Sequence, residues 1–418
     1  MPTFIEDFAG FIQASPSSYH AAAEVARRLA AAGYREQREA DAWDGAPGGH
    51  YIVRDGAIVA YVLPETVGDR TVCRIVGAHT YSPGFKLKPR PAHTSAGWAQ
   101  AGMEVYGGPL YNSWLDREFG LAGRVVTRDG ACRLVSTPAW LRIPQLAIHL
   151  DHTINDDLRL DPQTHLMPVV GLGQADIMDA LAADIGCQPA DIVGHDLFSA
   201  TTEPPAVIGV NRELFASRRL DNLTSAFAGL RALLGTPAHG GISMLALFDH
   251  EEVGSSSRSG ACGPLLEDVL ARVCGGFGLD GDGRQRLYAR SWVVSADAGH
   301  SVNPNHSEKS DPDERPIVNA GPMVKINAKQ RYTSDAMGEA LWARLSDAAG
   351  APRQLFVSNN AVPCGTTIGP LTAVRLGIRT VDVGVPLLSM HSARELCGVD
   401  DPGHLASALT AFFADSEI

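Results

Sequence analysis

An apolar run that stops beside two adjacent glutamates constrains this chain most. Residues 242–248 are almost entirely apolar, and Glu251 and Glu252 follow shortly after them. A run of this length predicts a strand covered on both faces, as in the sheet of an α/β protein. Two neighbouring carboxylates repel each other unless cations lie beside them. One carboxylate on a metal ion with its neighbour as general base would explain the pair, whereas a solvated acidic turn is the alternative.

Composition and charge argue against several classes of protein. The chain has 418 residues, of which 45% are hydrophobic and 20% charged, and its formal net charge is −12. We expect no nucleic-acid partner, because phosphate binding requires a basic face. The seven cysteines are scattered without a C-x-x-C pair, which predicts reduced thiols and a cytoplasmic protein. No apolar segment is long enough to span a bilayer, so we expect no membrane partner either.

The order of predicted strands and prolines along the chain predicts an interrupted α/β domain. We predict a catalytic α/β domain from residues 1–91 and 209–418, with an inserted, more β-rich domain from residues 92–208. We expect Pro83, Pro89 and Pro91 to mark the exit from the first part in sequence, since proline disfavours the interior of a sheet. The strands expected in the catalytic domain include residues 71–78, 242–248, 292–296 and 380–385. A helix is expected to open at residues 390–392.

Potential metal ligands follow these predicted elements at their ends. They are His79, Asp221, Glu252, Asp297 and His391. Any one of them alone is better explained structurally, and Asp221 could simply cap its helix. Together they form a set of imidazole and carboxylate ligands at strand ends, where open α/β sheets bind ligands. Two ions held close together would need a shared carboxylate, so the set suggests a two-metal site.

Spaced motifs along the chain match one peptidase family. They are Gly77-Ala78-His79-Thr80, Tyr106-Gly107-Gly108, Trp114-Leu115-Asp116-Arg117, Arg219-Leu220-Asp221-Asn222, Phe248-Asp249-His250-Glu251-Glu252-Val253-Gly254-Ser255, Ser295-Ala296-Asp297, Gln330-Arg331-Tyr332, Cys364-Gly365-Thr366-Thr367-Ile368-Gly369-Pro370 and Met390-His391-Ser392. Through them the chain resembles the M18 aspartyl aminopeptidases over nearly its whole length. The resemblance implies a metallo-aminopeptidase catalytic domain with an inserted β-rich dimerisation domain. It also implies a homo-oligomer, a dodecamer built from dimers, that acts on peptides.

The resemblance also assigns metal ligands. It implies that Asp221 bridges two divalent ions, that His79 and Asp297 complete one site, and that Glu252 and His391 complete the other. Zinc is the expected ion, with manganese and cobalt as alternatives, because carboxylate-rich dinuclear sites accept all three.

Three further residues receive roles from the same resemblance. Glu251 matches the general base that takes a proton from the attacking water. Lys325 matches a position that meets the acidic side chain of the substrate, which favours Asp or Glu at the peptide N-terminus. Tyr332 is expected to line the same pocket. Without the resemblance, the alternative for Lys325 is a surface lysine on an edge strand.

One position departs from the family motif. The family has His-Thr-Asp-Ser-Pro where this chain has Tyr81 in place of the Asp. That Asp accepts a hydrogen bond from the ligand imidazole, and loss of such a partner typically weakens metal affinity or activity by about 10–100-fold. The consequence is a weakened peptidase, an altered reaction, or the loss of one ion. We hypothesise that Tyr81→Asp raises aminopeptidase activity if the site is merely weakened.

Two alternatives to an acidic-residue aminopeptidase therefore stay open. One is a related amide hydrolase whose substrate has changed because Tyr81 reshapes the pocket, so that the substrate is a small amide. The other is an oligomeric binding or scaffold protein with weakened catalysis that keeps a metal ion for stability. Retention of Glu251 argues against the scaffold, since a general base has no structural task there.

Overall fold

The structure is a computed structural model that describes residues 2–68, 70–236 and 240–417. Within these ranges the α-helices are α1 (Phe4–Ala14), α2 (Ser18–Ala31), α3 (Ile177–Ile185), α4 (Leu220–Gly235), α5 (Leu265–Gly276), α6 (Gly281–Arg290), α7 (Ala336–Ala349), α8 (Ile368–Leu376) and α9 (Asp401–Ala414). The strands are β1 (Arg35–Glu36), β2 (Gly48–Arg54), β3 (Ala57–Leu63), β4 (Cys73–His79), β5 (Gly84–Ser95), β6 (Trp98–Tyr106), β7 (Glu118–Thr127), β8 (Cys132–Ser136), β9 (Leu141–Arg142), β10 (Val169–Leu172), β11 (Ile192–Thr201), β12 (Ala206–Ile208), β13 (Leu214–Ser217), β14 (Ile242–Phe248), β15 (Trp292–Ala296), β16 (Gly299–His300), β17 (Met323–Ile326), β18 (Gln354–Val357), β19 (Arg379–Gly384), β20 (Pro386–Leu388) and β21 (Glu395–Gly398).

The chain divides into two compact units. The first contains residues 1–81, 206–390 and 395–418, and the second contains residues 82–205 and 391–394. The second unit thus begins ten residues before the limit of 92 expected from the sequence, because β5 pairs with β6 from its first residue. Two of the three prolines that suggested a domain exit, Pro89 and Pro91, lie where the register of this pair shifts, between Leu87 and Ala92.

The first unit is built on a mixed sheet. Across the described residues its nine strands run in the order β1-β2-β3-β14-β4-β15-β19-β17-β18. β4 and β14 are buried along their whole length, as the apolar run 242–248 predicted for β14. Leu245 and Leu247 join the core cluster that contains α1, α2, α4, α7 and α9, whereas Met244 and Ala246 join the cluster with α5, α6 and α8. Alternate side chains of one strand therefore pack on helices at opposite faces of the sheet.

A smaller sheet belongs to the same unit. Among the described residues it contains five short strands in the order β12-β13-β21-β20-β16. β20 and β21 are antiparallel, and the chain between them turns through Ser389 and His391, which both have positive φ angles. The helix expected to open at residues 390–392 is therefore wrong. The chain there forms turns and bends before β21 begins, because left-handed backbone angles do not continue a right-handed helix.

The second unit is rich in β-structure. Its described strands follow the order β11-β5-β6-β10-β9-β7-β8, and β11 also pairs with β7, which closes six of them into a ring. Phe85, Phe119, Leu121 and Leu197 lie in the buried core of this ring. In neither unit does the described chain include a helix long and apolar enough to cross a bilayer.

Candidate metal centre and active site

Three neighbouring parallel strands deliver the candidate ligands. β4 pairs in parallel with both β14 and β15, so the carboxyl ends of all three lie at one edge of the sheet. His79 is the last residue of β4, and Asp297 directly follows β15. Glu251 and Glu252 lie in a short 3-10 turn just after β14. The order of the strands, and not the order of the chain, therefore brings these side chains together.

A buried imidazole lies at the middle of this cluster. Nε2 of His79 is 3.2 Å from Oδ1 of Asp221 and 3.3 Å from Oδ1 of Asp297. The same nitrogen is 4.0 Å from Oε2 of Glu251. Ligand atoms of His79, Glu251 and Glu252 also lie within 4.8 Å of one another. Five of the residues predicted from the sequence therefore lie in one cluster: His79, Asp221, Glu251, Glu252 and Asp297.

The electrostatics of the cluster favour a bound cation. Burial acts to lower the pKa of His79, but hydrogen bonds to Asp221 and Asp297 outweigh it and hold that pKa well above its usual range. The negative field of these carboxylates therefore stabilises a positive charge at Nε2, carried by either a proton or a metal ion. Imidazole and carboxylates are the ligands that zinc and related dications prefer. The residues present consequently fit a divalent metal ion.

Asp221 occupies a constrained position at the start of α4. Asp221 and Asn222 depart from helical dihedral angles, and the peptide bond between them is cis. The backbone N–H of Asp221 donates to Oε2 of Glu395 at 3.0 Å, and Nδ2 of Asn222 donates to the carbonyl of Ala296 at 2.8 Å. The residue at the N-cap of α4 is Arg219, without a side-chain cap, and the Asp221 carboxylate lies beside His79.

Glu251 has the properties of a general base. Burial is the largest cause that raises its pKa, to about 7, and the nearby carboxylates of Asp297 and Asp221 raise it further. The positive charges of His79 and Lys325 act in the opposite direction. A carboxylate with a pKa near neutrality can both accept and release a proton at physiological pH.

Lys325 is not on the surface. Its side chain is only 2% exposed, and β17 has neighbours on both sides, β18 and β19. Nζ donates a hydrogen bond of 2.6 Å to the carbonyl of Ala298 and lies 5.3 Å from the ring centre of Tyr332. The alternative of a surface lysine on an edge strand is therefore wrong. Lys325 and Tyr332 lie together, as expected for one pocket.

A cavity of about 370 Å³ opens beside Tyr332. Its lining includes His300, Phe356, Cys364 and Met390. This volume suits a side chain or a short peptide segment.

Tyr81 and His391 differ from the other predicted residues. The Tyr81 side chain is 4% exposed and is absent from the lining of the cavity described above. Its backbone oxygen, however, lies 2.8 Å from Nδ1 of His79. His391 belongs to the second unit, where its Nδ1 lies 3.0 Å from the carbonyl oxygen of Gly108. Its role as a metal ligand stays a prediction.

Asp382 is a site residue that the sequence did not reveal. It is fully buried in β19 and accepts hydrogen bonds from the backbone and hydroxyl of Thr333 and from the hydroxyl of Thr367. These bonds tie the loop that carries Tyr332 to the loop that carries Cys364. The signal was available, because a carboxylate inside an apolar strand is rare unless it is paired.

Comparison with known proteins identifies the family. A family model described as aminopeptidase I zinc metalloprotease (M18) matches residues 11–413. The chain belongs to the M18 peptidase family. It is therefore a metal-dependent aminopeptidase, and the resemblance inferred from its motifs is confirmed.

Relatives of this M18 aminopeptidase match along nearly the whole chain. The "Probable M18 family aminopeptidase 2" of Streptomyces coelicolor is 50% identical over 417 residues, which cover 97% of this chain and 96% of the relative. The protein of the same name from Pseudomonas entomophila is 41% identical over 422 residues, with 98% and 97% covered.

Solved structures confirm the fold class of this M18 aminopeptidase. A cryo-EM structure of the Ape4 and Nbr1 complex superposes with a TM-score of 0.94 at 32% identity and covers 98% of this chain and 85% of that chain. The crystal structure of yeast aminopeptidase 1 gives a TM-score of 0.86 at 28% identity, with 98% and 96% covered. The predicted α/β catalytic domain with an inserted β-rich domain is thus confirmed.

Proposed function

We propose that this aminopeptidase removes acidic residues from peptide N-termini. The observation that carries the proposal is the buried ammonium group of Lys325 beside Tyr332, close enough to Glu251 to lower its pKa. A buried lysine costs free energy unless an anion lies near it. The carboxylate of an N-terminal Asp or Glu would supply a second anion when substrate binds, which neutral side chains cannot do.

Two divalent ions complete the proposed site, with zinc as the expected metal and manganese or cobalt as alternatives. His79 and Asp297 would hold one ion, and Glu252 and His391 would hold the other. Asp221 would be a ligand of both ions. A divalent ion, when bound, lowers the pKa of a water molecule and polarises the scissile carbonyl. Zinc is favoured because the family model is described as that of a zinc metalloprotease.

Glu251 performs the proton transfers in the proposed reaction. Its carboxylate accepts a proton from the attacking water and passes that proton to the leaving amine nitrogen. Lys325 and Tyr332 hold the N-terminal side chain, so the scissile bond is positioned before the proton moves. The alternative of a pocket reshaped by Tyr81 is less well supported, because the Tyr81 side chain is only 4% exposed.

We also propose a cytoplasmic homo-oligomer, a dodecamer built from dimers. Support comes from a relative, the S. cerevisiae mApe1, whose structure is described as a dodecamer. The inserted β-rich domain, residues 92–208 in the sequence-based limits, would supply dimer contacts. Analytical ultracentrifugation tests the assembly, and a stable monomer would contradict it.

A dipeptide panel tests the proposed specificity. The metal-reconstituted protein is assayed with Asp-X, Glu-X, neutral and basic N-termini. Release of acidic residues alone supports both the reaction and the role of Lys325. Release of neutral residues at equal rates would contradict the specificity but not the aminopeptidase. No release from any peptide, with metal bound, would contradict the peptidase reaction and direct the search to other amides.

A further inference from the structure

The orientation of the His79 ring depends on a hydrogen bond at the side away from the carboxylates. Nδ1 lies 2.8 Å from the backbone carbonyl oxygen of Tyr81. A carbonyl oxygen can only accept, so Nδ1 is the donor to it, and Nε2 is the nitrogen that faces Asp221 and Asp297. A backbone group of the residue that replaced the family's Asp therefore orients the imidazole.

The Tyr81 side chain has a different contact. The guanidinium carbon of Arg219 lies 5.2 Å from the centre of the Tyr81 ring, within the distance at which a cation is attracted to the face of an aromatic ring. The Tyr81 side chain is only 4% exposed, so water screens this contact little. The aromatic ring thus lies against a positive charge where the family motif would place a negative one.

Arg219 is a buried cation with an incomplete set of partners. It donates to the backbone carbonyls of Ser15 and Thr80. Its Nε has no hydrogen-bond partner among the residues that the structure describes. The residue is only 8% exposed, and a buried charge costs free energy unless it is paired and hydrogen-bonded. We therefore expect the buried guanidinium of Arg219 to have a role other than filling space.

The backbone held by Arg219 is the segment that carries the imidazole. Thr80 lies between His79 and Tyr81, and its carbonyl accepts from Arg219. The N–H of Thr80 donates to the carbonyl of Phe248 at 2.8 Å, and its hydroxyl donates to the carbonyl of Gly56 at 2.6 Å. Residues 79–81 are therefore held at the end of β14 from one side and by Arg219 from the other.

We propose that Arg219 is a positioning residue for the metal centre, acting through Thr80 and the Tyr81 ring to aim the Tyr81 carbonyl at His79. The proposal rests on the metal centre proposed above. It implies that this chain replaces the carboxylate of the family motif by a backbone carbonyl, so the loss of metal affinity expected from the missing Asp does not occur.

Metal affinity measured without substrate tests the proposal. Zn²⁺ dissociation constants are obtained by competition with a chromophoric chelator, and visible spectra are recorded for the Co²⁺-loaded protein. The variants are Tyr81→Phe, Tyr81→Leu and Arg219→Lys, and kcat and KM are measured for each. Tyr61→Leu is the matched control, because Tyr61 is a buried tyrosine of the same unit whose core cluster contains none of His79, Tyr81 and Arg219.

Tyr81→Phe keeps the ring and should bind zinc within about threefold of the parent protein, with the same Co²⁺ spectrum. Tyr81→Leu and Arg219→Lys should weaken zinc binding by about 10–100-fold, alter the spectrum and lower kcat at unchanged KM. Tyr61→Leu should change none of these.

Unchanged zinc affinity and Co²⁺ spectrum in Tyr81→Leu and Arg219→Lys would overturn the proposal. A tenfold loss of zinc affinity in Tyr81→Phe would also overturn the proposal, because the hydroxyl and not the ring would then be the essential group. Tyr81→Phe therefore still tests the proposal if Tyr81→Leu and Arg219→Lys fail to fold. A parent protein that binds no metal would instead contradict the proposed function itself.

Discussion

Replacing Lys325 with methionine should separate acidic from neutral substrates. Because Lys325 is only 2% exposed, water would not screen its charge from a carboxylate that reaches it. A hydrogen bond to a charged group contributes about 1.5–3 kcal/mol, which corresponds to roughly 10- to 150-fold in kcat/KM. Methionine keeps an unbranched chain without the charge. We therefore expect that loss for Asp-X and Glu-X peptides, with Leu-X unaffected.

The assay compares kcat/KM for Asp-Leu, Glu-Leu and Leu-Leu, with metal content and Tm measured for each variant. Lys329→Met is the control, because Lys329 is exposed just beyond the same strand and should alter none of these values. Lys325→Met should also lower Tm, since the Ala298 carbonyl loses its donor at 2.6 Å. An equal fall of kcat/KM for all three dipeptides in Lys325→Met, at full metal content, would refute the reasoning. Lys325 would then contribute to catalysis of every substrate and not to the selection of acidic residues.

Three further outcomes are expected. Glu251→Gln should lower kcat by about 10²–10⁴-fold at unchanged metal content, measured by elemental analysis, and a variant with more than a tenth of parental kcat would exclude it as the base. Chelation should lower Tm, because the clustered carboxylates lose a counter-charge; zinc at 100 times its Kd stabilises by about 2.7 kcal/mol, and re-addition should restore Tm. Asp382→Asn should raise KM more than it lowers kcat, because it loosens the loops of Thr333 and Thr367 that flank the cavity; an unchanged KM for Asp-Leu would contradict that role.

The central strands of the nine-stranded sheet could be predicted because their position in the sheet requires apolar residues. β4, β14 and β15 are central strands with helices on both faces, so almost every position must be apolar. The turn at residues 390–392 could not be read in this way. Its conformation depends on left-handed angles at Ser389 and His391, which join β20 to β21 and leave no mark in local hydrophobic periodicity.

Site residues were predictable where chemistry restricts the amino acid. A general base and metal ligands must be Glu, Asp or His, so Glu251 and the ligand set stand out even before any contact is known. Arg219 and Asp382 were missed as functional groups, since their tasks lie in holding backbone and loops. Nothing in an isolated arginine or aspartate reveals which carbonyl or hydroxyl it will bind.

The sequence by itself determined the α/β class, the strand ends that carry the ligands, and the family, because hydrophobic pattern and reactive residue types are local properties. Only the tertiary structure decided that Lys325 is buried, that its ammonium lies beside Tyr332, and that a backbone carbonyl at Tyr81 orients His79. These depend on strand order and on contacts between residues far apart in the chain. Burial and hydrogen-bond geometry arise from packing in three dimensions, which no local stretch of sequence specifies.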